Sequence, residues 1–258
     1  HSARCGPKSF FENTARCKGR SLPDGSSDGM TTAHKFPKWG MAVPCYDPTS
    51  MRARVIIGGS DDWHDLIGTG THLRNVLAGA DMAATLHLGC GEQQIGGPDT
   101  GVLVTYTMSV RMRPEEQQRL ADRVAAGLGL VALHTSCVDM EAPGLHEVWL
   151  GLVGRRFVSH PPFGRFRVSV DKEHPVTHGV ESFDIEDELY ITEPVGEPAE
   201  VLASATHEEK KQPMVTVREL GKGRLCFIAL GHNGRAQHHP GFQRLLIQAA
   251  RWAGRAGS

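Results

Sequence analysis

The sequence predicts one three-layer α/β domain with a mixed sheet, and three observations carry that prediction. Strand-like and helix-like segments alternate through the first half of the domain. Short strands joined by turns accumulate in the second half, the pattern of an antiparallel edge. Between them, Gly127-Leu128-Gly129-Leu130-Val131-Ala132-Leu133-His134-Thr135-Ser136 reads as a turn, a short apolar run and a polar end. An apolar run bounded by Gly and Thr/Ser suits a strand buried on both faces. In open α/β sheets ligand sites lie beyond the carboxyl ends of such strands, which is where His134 stands.

Residues 1–50 stand apart from the rest. Apolar periodicity is missing, and Pro23-Asp24-Gly25-Ser26-Ser27-Asp28-Gly29 is a loop signature. With Phe10, Phe11, Phe36 and Trp39 as its main apolar residues, this stretch is expected to be an irregular or poorly ordered tail. Met51 reads as the natural start of the domain, 51–258. Arg52 to Ile57 is a first strand and Gly58-Gly59-Ser60 the turn leaving it. Leu66 to Ala80 suits a helix with Leu73, Val76 and Leu77 on one face, its first turn weakened by Gly68 and Gly70. Met82 to Leu86 and Val102 to Tyr106 are the next strands.

The glycines between those two strands (Gly89, Gly91, Gly96, Gly97) form a loop. They lack the spacing of a phosphate-binding turn. Pro114 sits at a helix N1 position, followed by Glu115 and Glu116, which complement the helix N-terminus; this helix runs to about Ala126. The central strand follows, then a short helix from Leu145 to Val153. Phe166 to Val170 alternates as a half-exposed strand does, Asp171 to Pro175 is a turn, and Phe183 to Tyr190 is an acidic strand or loop. Val201 to Ala205 and Met214 to Val217 are strands. Gly221-Lys222-Gly223 is a hairpin turn into Leu225 to Leu230, and Phe242 to Ala253 is an amphipathic helix.

The totals exclude several classes of function. Of 258 residues, 40% are hydrophobic and 22% charged, as in an ordinary globular protein. A net charge of -1 argues against a nucleic-acid surface, which needs a cationic excess. No apolar run approaches the roughly 18 residues of a membrane span. Lys8, Phe10 and Phe11 run into Glu, Asn and Arg rather than into the apolar core of a secretory signal. The six cysteines form no CxxC pair, so neither a zinc knuckle nor a redox motif is indicated, and reduced thiols in a cytoplasmic protein are expected. The 14 histidines exceed the usual share, and many adjoin turns.

Four polar clusters fall at the predicted carboxyl edge of the sheet. His64 with Asp61, Asp62 and Asp65 follows the first strand; a carboxylate–imidazole cluster suits a metal or a proton relay, whereas a lone Asp there suits a helix cap. His134 follows the central strand, where a simple hydrogen bond to a neighbouring carbonyl is the plainer role. Glu186-Asp187-Glu188 precedes Leu189 and Tyr190, which argue that one side of the acid run is buried. Gly231-His232-Asn233 follows a strong apolar strand, with His238-His239 downstream. Nucleophilic catalysis is poorly supported: Ser136 and Cys137 follow His134 but lack a Gly-x-Ser-x-Gly elbow, and Cys137 reads as incidental.

Several motifs occur in a fixed order: Gly129 to His134, His174-Pro175-Val176-Thr177-His178-Gly179-Val180, Asp187-Glu188-Leu189-Tyr190, Gly221-Lys222-Gly223-Arg224, Leu230-Gly231-His232 and Arg251-Trp252-Ala253. In this order they resemble the trehalose-utilization (ThuA-like) family over residues 51–254. The resemblance implies a flavodoxin-like sandwich similar to class I glutamine amidotransferases. In those enzymes the turn after the matching strand presents a nucleophilic cysteine; here His134 holds that place, so the chain is not expected to be a glutaminase.

The resemblance further implies carbohydrate metabolism, on trehalose-related or 3-keto glycosides, by acid/base chemistry of the elimination, isomerisation or hydrolysis type. A divalent metal, zinc or manganese, would assist by stabilising an enediolate oxygen. His134, His232 and Glu188 are the expected catalytic residues. Asp187, Trp63 and Asn233 are expected to bind substrate, and His64, His134 and His232 to ligate metal. His160 stands in reserve, Tyr190 is expected to pack beneath the site, and His174 and His178 read as structural. The expected partner is a small sugar, with no nucleic acid and no membrane, and with a homo-oligomer left open. The alternative is a non-catalytic carbohydrate-binding or regulatory module of the same fold. A 6% aromatic content leans away from it, because such modules rely on exposed aromatic platforms.

Overall fold

A computed structural model describes residues 49–59, 63–109, 112–139 and 144–254. The expected tail lies outside these residues apart from its last two positions, and so do Ser60, Asp61 and Asp62. The first half alternates as predicted: β1 (Arg52–Gly59), α1 (Leu66–Ala78), β2 (Ala83–Leu88), α2 (Glu92–Ile95), β3 (Val102–Met108), α3 (Pro114–Ala125) and β4 (Gly129–Leu133). One 3-10 turn (His134–Cys137) follows, then α4 (Glu147–Val153) and the strands β5 (Arg155–Ser159), β6 (Gly164–Val170), β7 (Phe183–Asp187), β8 (Ile191–Pro194), β9 (Glu200–His207), β10 (Lys210–Leu220) and β11 (Gly223–Ile228). The short α5 (Gly234–Gln237) and the long α6 (Pro240–Gly254) close the chain.

The described residues form a nine-stranded sheet in the order β2-β1-β3-β4-β11-β10-β9-β6-β7 and a separate β5–β8 ribbon. From β2 to β11 the neighbours are parallel, and from β11 to β7 antiparallel. The parallel half follows from composition: every residue of β3 and β4 is buried, as strands covered on both faces require. Helices α1 and α6 pack together on one face, α3 and α4 on the other. α6 turns Phe242, Leu245, Leu246, Ala249, Ala250 and Ala253 inward, and α3 turns Leu120 and Val124. Two acidic side chains begin helices as the sequence reading requires. Asp65 accepts from the Gly68 N–H at 2.8 Å at the start of α1, and Glu116 accepts from the Arg113 N–H at 2.9 Å at the start of α3.

The fold departs from the sequence reading in a few places. β1 runs on through Gly58 and Gly59 rather than turning there. Gly59 has φ +100, and a Cβ on it would lie 1.6 Å from the Met108 carbonyl oxygen, so only glycine lets β1 stay this close to β3. The glycine-rich stretch after β2 contains the one-turn α2. β5 and β8 carry no clear alternation and were not legible as strands; they pair with each other and hold the site's flank. β7 ends at Asp187, so Glu188 to Tyr190 leave the strand. No helix among the described residues is long and apolar enough to cross a membrane.

Gly129 opens the central strand against the end of α6, where an added Cβ would lie 2.6 Å from the Ala253 carbonyl. Gly129→Ala is expected to lower stability by about 1–3 kcal/mol, the range for overpacking a filled core. Urea denaturation should show a lower midpoint at an unchanged slope.

Candidate active site

Four strand ends deliver one side chain each to a single point. His64 follows β1, His134 follows β4, Glu188 follows β7 and His232 follows β11. One ligand atom from each lies within 4.8 Å of the others. His232 Nδ1 is 2.9 Å from His64 Nε2 and 3.1 Å from Glu188 Oε2. His134 Nε2 is 3.4 Å from the same carboxylate oxygen.

His134 is the most constrained of the four. It is fully buried and its φ is +37, a conformation rare outside glycine. Such strain persists only where the surroundings over-determine it, and it concentrates at functional sites. Its Nδ1 lies 2.7 Å from the Ala229 carbonyl, which can only accept, so Nδ1 carries the hydrogen. The ring therefore turns Nε2 toward Glu188. Its ring stacks on Tyr190 with centroids 3.9 Å apart.

Burial raises the Glu188 pKa, but hydrogen bonds from His134 and His232 and the field of both imidazoles outweigh it and hold the carboxyl well below its usual range. Glu188 is thus a weak base and a strong ligand. Nitrogen atoms of three imidazoles and a carboxylate oxygen converge within 4.8 Å. Ligands about 2.0–2.1 Å from a tetrahedral ion lie about 3.3–3.4 Å apart, close to the 2.9, 3.1 and 3.4 Å seen here. The set fits a transition-metal ion that accepts imidazole and carboxylate.

His64, Glu188 and His232 line the floor of a cavity of about 480 Å³, and His134 lies fully buried beside them. Trp63, Met108, Val138, Phe157, His160 and Tyr190 complete its lining. His160 Nδ1 lies 2.8 Å from the Pro161 carbonyl, which leaves Nε2 as the free nitrogen, 3.7 Å from Glu188 Oε1.

A family model described as trehalose utilisation, ThuA, matches residues 93–253. The chain belongs to the ThuA family. The fold agrees with solved relatives. A ThuA-like protein from Parabacteroides merdae is 18% identical with a TM-score of 0.67, over 80% of this chain and 90% of its own. One from Bacteroides uniformis is 18% identical with a TM-score of 0.65, over 81% of this chain and 94% of its own. Among curated proteins none matches the chain in sequence. The ThuA match takes in His134, His160, Glu188 and His232, whereas Trp63 and His64 precede it.

Within this ThuA fold the three consecutive acids separate. Glu186 pairs with Arg235 at the surface, Asp187 is fully buried and Glu188 enters the cavity. Asp187, expected to bind substrate, turns inward and is not among the residues lining the cavity. Its Oδ2 accepts from the Gly231 N–H at 2.7 Å, and its Oδ1 from His232 at 3.0 Å and Glu188 at 2.9 Å. Burial pushes this carboxyl up, against the pull of His134 and of those three bonds. Asn233 departs from the expectation in the same way: its Oδ1 caps α5 by accepting from Arg235 and Ala236, and it does not line the cavity.

Trp63 stands at the cavity mouth, 67% exposed. Cys137 is fully buried, its thiol donates to the His134 carbonyl, and burial pushes its pKa up, so it offers no nucleophile. Ser136 is spent on the Thr105 carbonyl. His174 accepts from the Val176 N–H and His178 pairs with Glu173, both away from the cluster.

Tyr106 escaped the sequence reading. Its hydroxyl donates to the Gly231 and His232 carbonyls, a second tie on the loop that carries His232. The signal was a lone aromatic in an aliphatic strand, which reads equally well as core.

Asp187→Asn replaces one acceptor oxygen by a donor that faces a backbone N–H. It is expected to cost about 2–3 kcal/mol. The imidazole NMR signals of His232 should shift, whereas a purely global effect would leave the folded fraction's spectrum unchanged.

Proposed function

We propose that the cluster of His64, His134, Glu188 and His232 is the catalytic centre of a carbohydrate-processing enzyme. It acts on a trehalose-related or 3-keto glycoside by acid/base chemistry assisted by a divalent cation. One observation carries the reading: side chains from four separate strand ends converge on one point beside a cavity of about 480 Å³. The ThuA description supports a carbohydrate.

A ketone at C3 acidifies the C2–H bond. A base removes that proton, and the electron pair forms a C2–C3 enolate. As the C3 carbonyl re-forms, the pair moves into a C1–C2 π bond and the C1–O bond breaks. The leaving oxygen takes a proton, and addition of water across the new double bond completes a net hydrolysis. No oxidant is consumed.

His64, His134, Glu188 and His232 would hold the cation, which when bound supplies positive charge for an enolate oxygen. Ala229 fixes the tautomer of His134, so its Nε2 faces the centre. His160 is the cavity-lining imidazole outside that set and the one placed to move the C2 proton. Tyr190 and Phe157, packed 4.6 Å apart, close the flank against water.

Elemental analysis of the purified chain should find a divalent metal. A chelator should abolish turnover of 3-keto-trehalose, and added zinc or manganese should restore it. Absence of both metal and turnover on trehalose and 3-keto-trehalose would favour a binding module instead. His160→Gln is expected to lower kcat by about 10²–10⁴-fold, the usual contribution of a positioned proton-transfer group, while the metal content stays the same.

A further inference from the structure

The wall of the cavity differs in kind from its floor. The floor is polar: the imidazoles of His64 and His232, the Glu188 carboxylate, His160 at 3.7 Å from that carboxylate, and the Tyr190 phenol, whose ring stacks on His134. The wall is Trp63, Met108, Val138 and Phe157: an indole, a thioether, an isopropyl and a phenyl group. Beside it, the ring of Phe163 lies 5.8 Å from that of His232 and is 38% exposed. Met108 and Val138 are buried, whereas Trp63 and Phe163 leave large aromatic surfaces exposed at the mouth of a polar site, where a ligand would cover them.

A second pyranose ring meets that wall badly. Its C–H face can lie on an aromatic ring, but its rim of hydroxyls needs donors and acceptors, and a hydroxyl buried without one is unfavourable. Among the described residues, the polar atoms in the side chains of the wall are one indole nitrogen and a thioether sulfur. An aromatic group meets the same wall well. Trp63 and Phe157 present ring faces or edges, and Met108 adapts its thioether to a ring. The cavity, at about 480 Å³, is within the range of about 300–1,000 Å³ usual for sites that hold a small molecule.

We propose that the cavity takes a glycoside with an apolar, aromatic aglycone. The sugar oxygens rest on the imidazole and carboxylate floor, and the aglycone lies against Trp63, Met108, Val138 and Phe157. The proposal rests on the sugar reading above and names its substrate class. It also suits the elimination: the C1–O electron pair departs on an aryl oxide, a better leaving group than a sugar alkoxide, and that oxygen takes one proton.

Calorimetric titration of the full chain with phenyl β-glucoside and with trehalose tests it, alongside turnover of the 3-keto form of each. Phenyl β-glucoside is expected to bind at least tenfold tighter than trehalose. Trp63→Ala, at an exposed position that should not disturb folding, is expected to weaken phenyl β-glucoside about tenfold. Met108→Gln, which keeps the length of the side chain but adds a polar group to the wall, should weaken it as well. For the 3-keto substrates the loss should fall on KM more than on kcat.

Equal or tighter binding of trehalose, or unchanged affinity in both variants, overturns the aglycone assignment and leaves the sugar reading standing. Binding of neither glycoside overturns both. Selective binding of phenyl β-glucoside without turnover of any 3-keto form supports the assignment and strikes the catalytic reading alone.

Discussion

The buried carboxylate of Asp187 is the constraint on which the site depends. It accepts three backbone N–H bonds, from Glu188 on its own strand end and from Gly231 and His232 on another. β7 and β11 are not neighbours in the sheet. One side chain therefore fixes the separation between the backbone that carries Glu188 and the backbone that carries His232. Charge-assisted bonds of this kind are about twice as strong as neutral ones, and the low dielectric of the interior strengthens them further. Tyr106 grips the same loop from the side of β3 through the Gly231 and His232 carbonyls. Held from both sides, His232 has little freedom to leave the cluster.

The parallel half of the sheet does the same for His134 by packing. β4 is buried along its whole length between β3 and β11, with α6 against its start. The strand cannot slip without moving a filled core, so its last residue and the one after it are placed to within the tolerance of close packing. That rigidity holds His134 in a left-handed conformation and directs Nδ1 to Ala229. Among the described residues Cys137 is the thiol that follows this turn, and it is fully buried, with its proton kept by burial.

Apolar runs that must be buried made the parallel strands legible, and with them the sheet edge at which His64, His134 and His232 meet. The ThuA-like fold followed from motif order. What could not be read is equally specific. Asp187 and Glu188 are neighbours in an acid run, and sequence cannot tell which of two adjacent carboxylates turns inward when the strand ends between them. Asn233 after His232 looked like a ligand-binding group, yet an Asn just before a short helix caps it by the same chemistry. β5 and β8 are short and mostly half-exposed or exposed, so neither period nor composition distinguished them from loop, and with them Phe157 went unseen. Asp61 and Asp62, singled out beside His64, lie outside the described residues.

The balance of protons in the cluster narrows its chemistry. Ala229 takes the Nδ1 hydrogen of His134, and Pro161 takes that of His160, so both rings turn Nε2 toward Glu188. Glu188 stays ionised and contributes only acceptors. Were the centre to hold only neutral imidazoles, lone pairs would face lone pairs at 3.4 Å between His134 and Glu188. Positive charge must enter, either as protons on the imidazoles or as a metal ion among them. His64 and His232 already share a hydrogen bond at 2.9 Å, so one proton between His134 Nε2 and Glu188, or one cation among the four side chains, meets that need. One ligand atom from each of the four side chains lies close enough for a single metal ion to be held among them, with His160 outside the set. The cavity thus joins a polar floor, where charge can be held, to a wall of Trp63, Met108, Val138 and Phe157 that holds none.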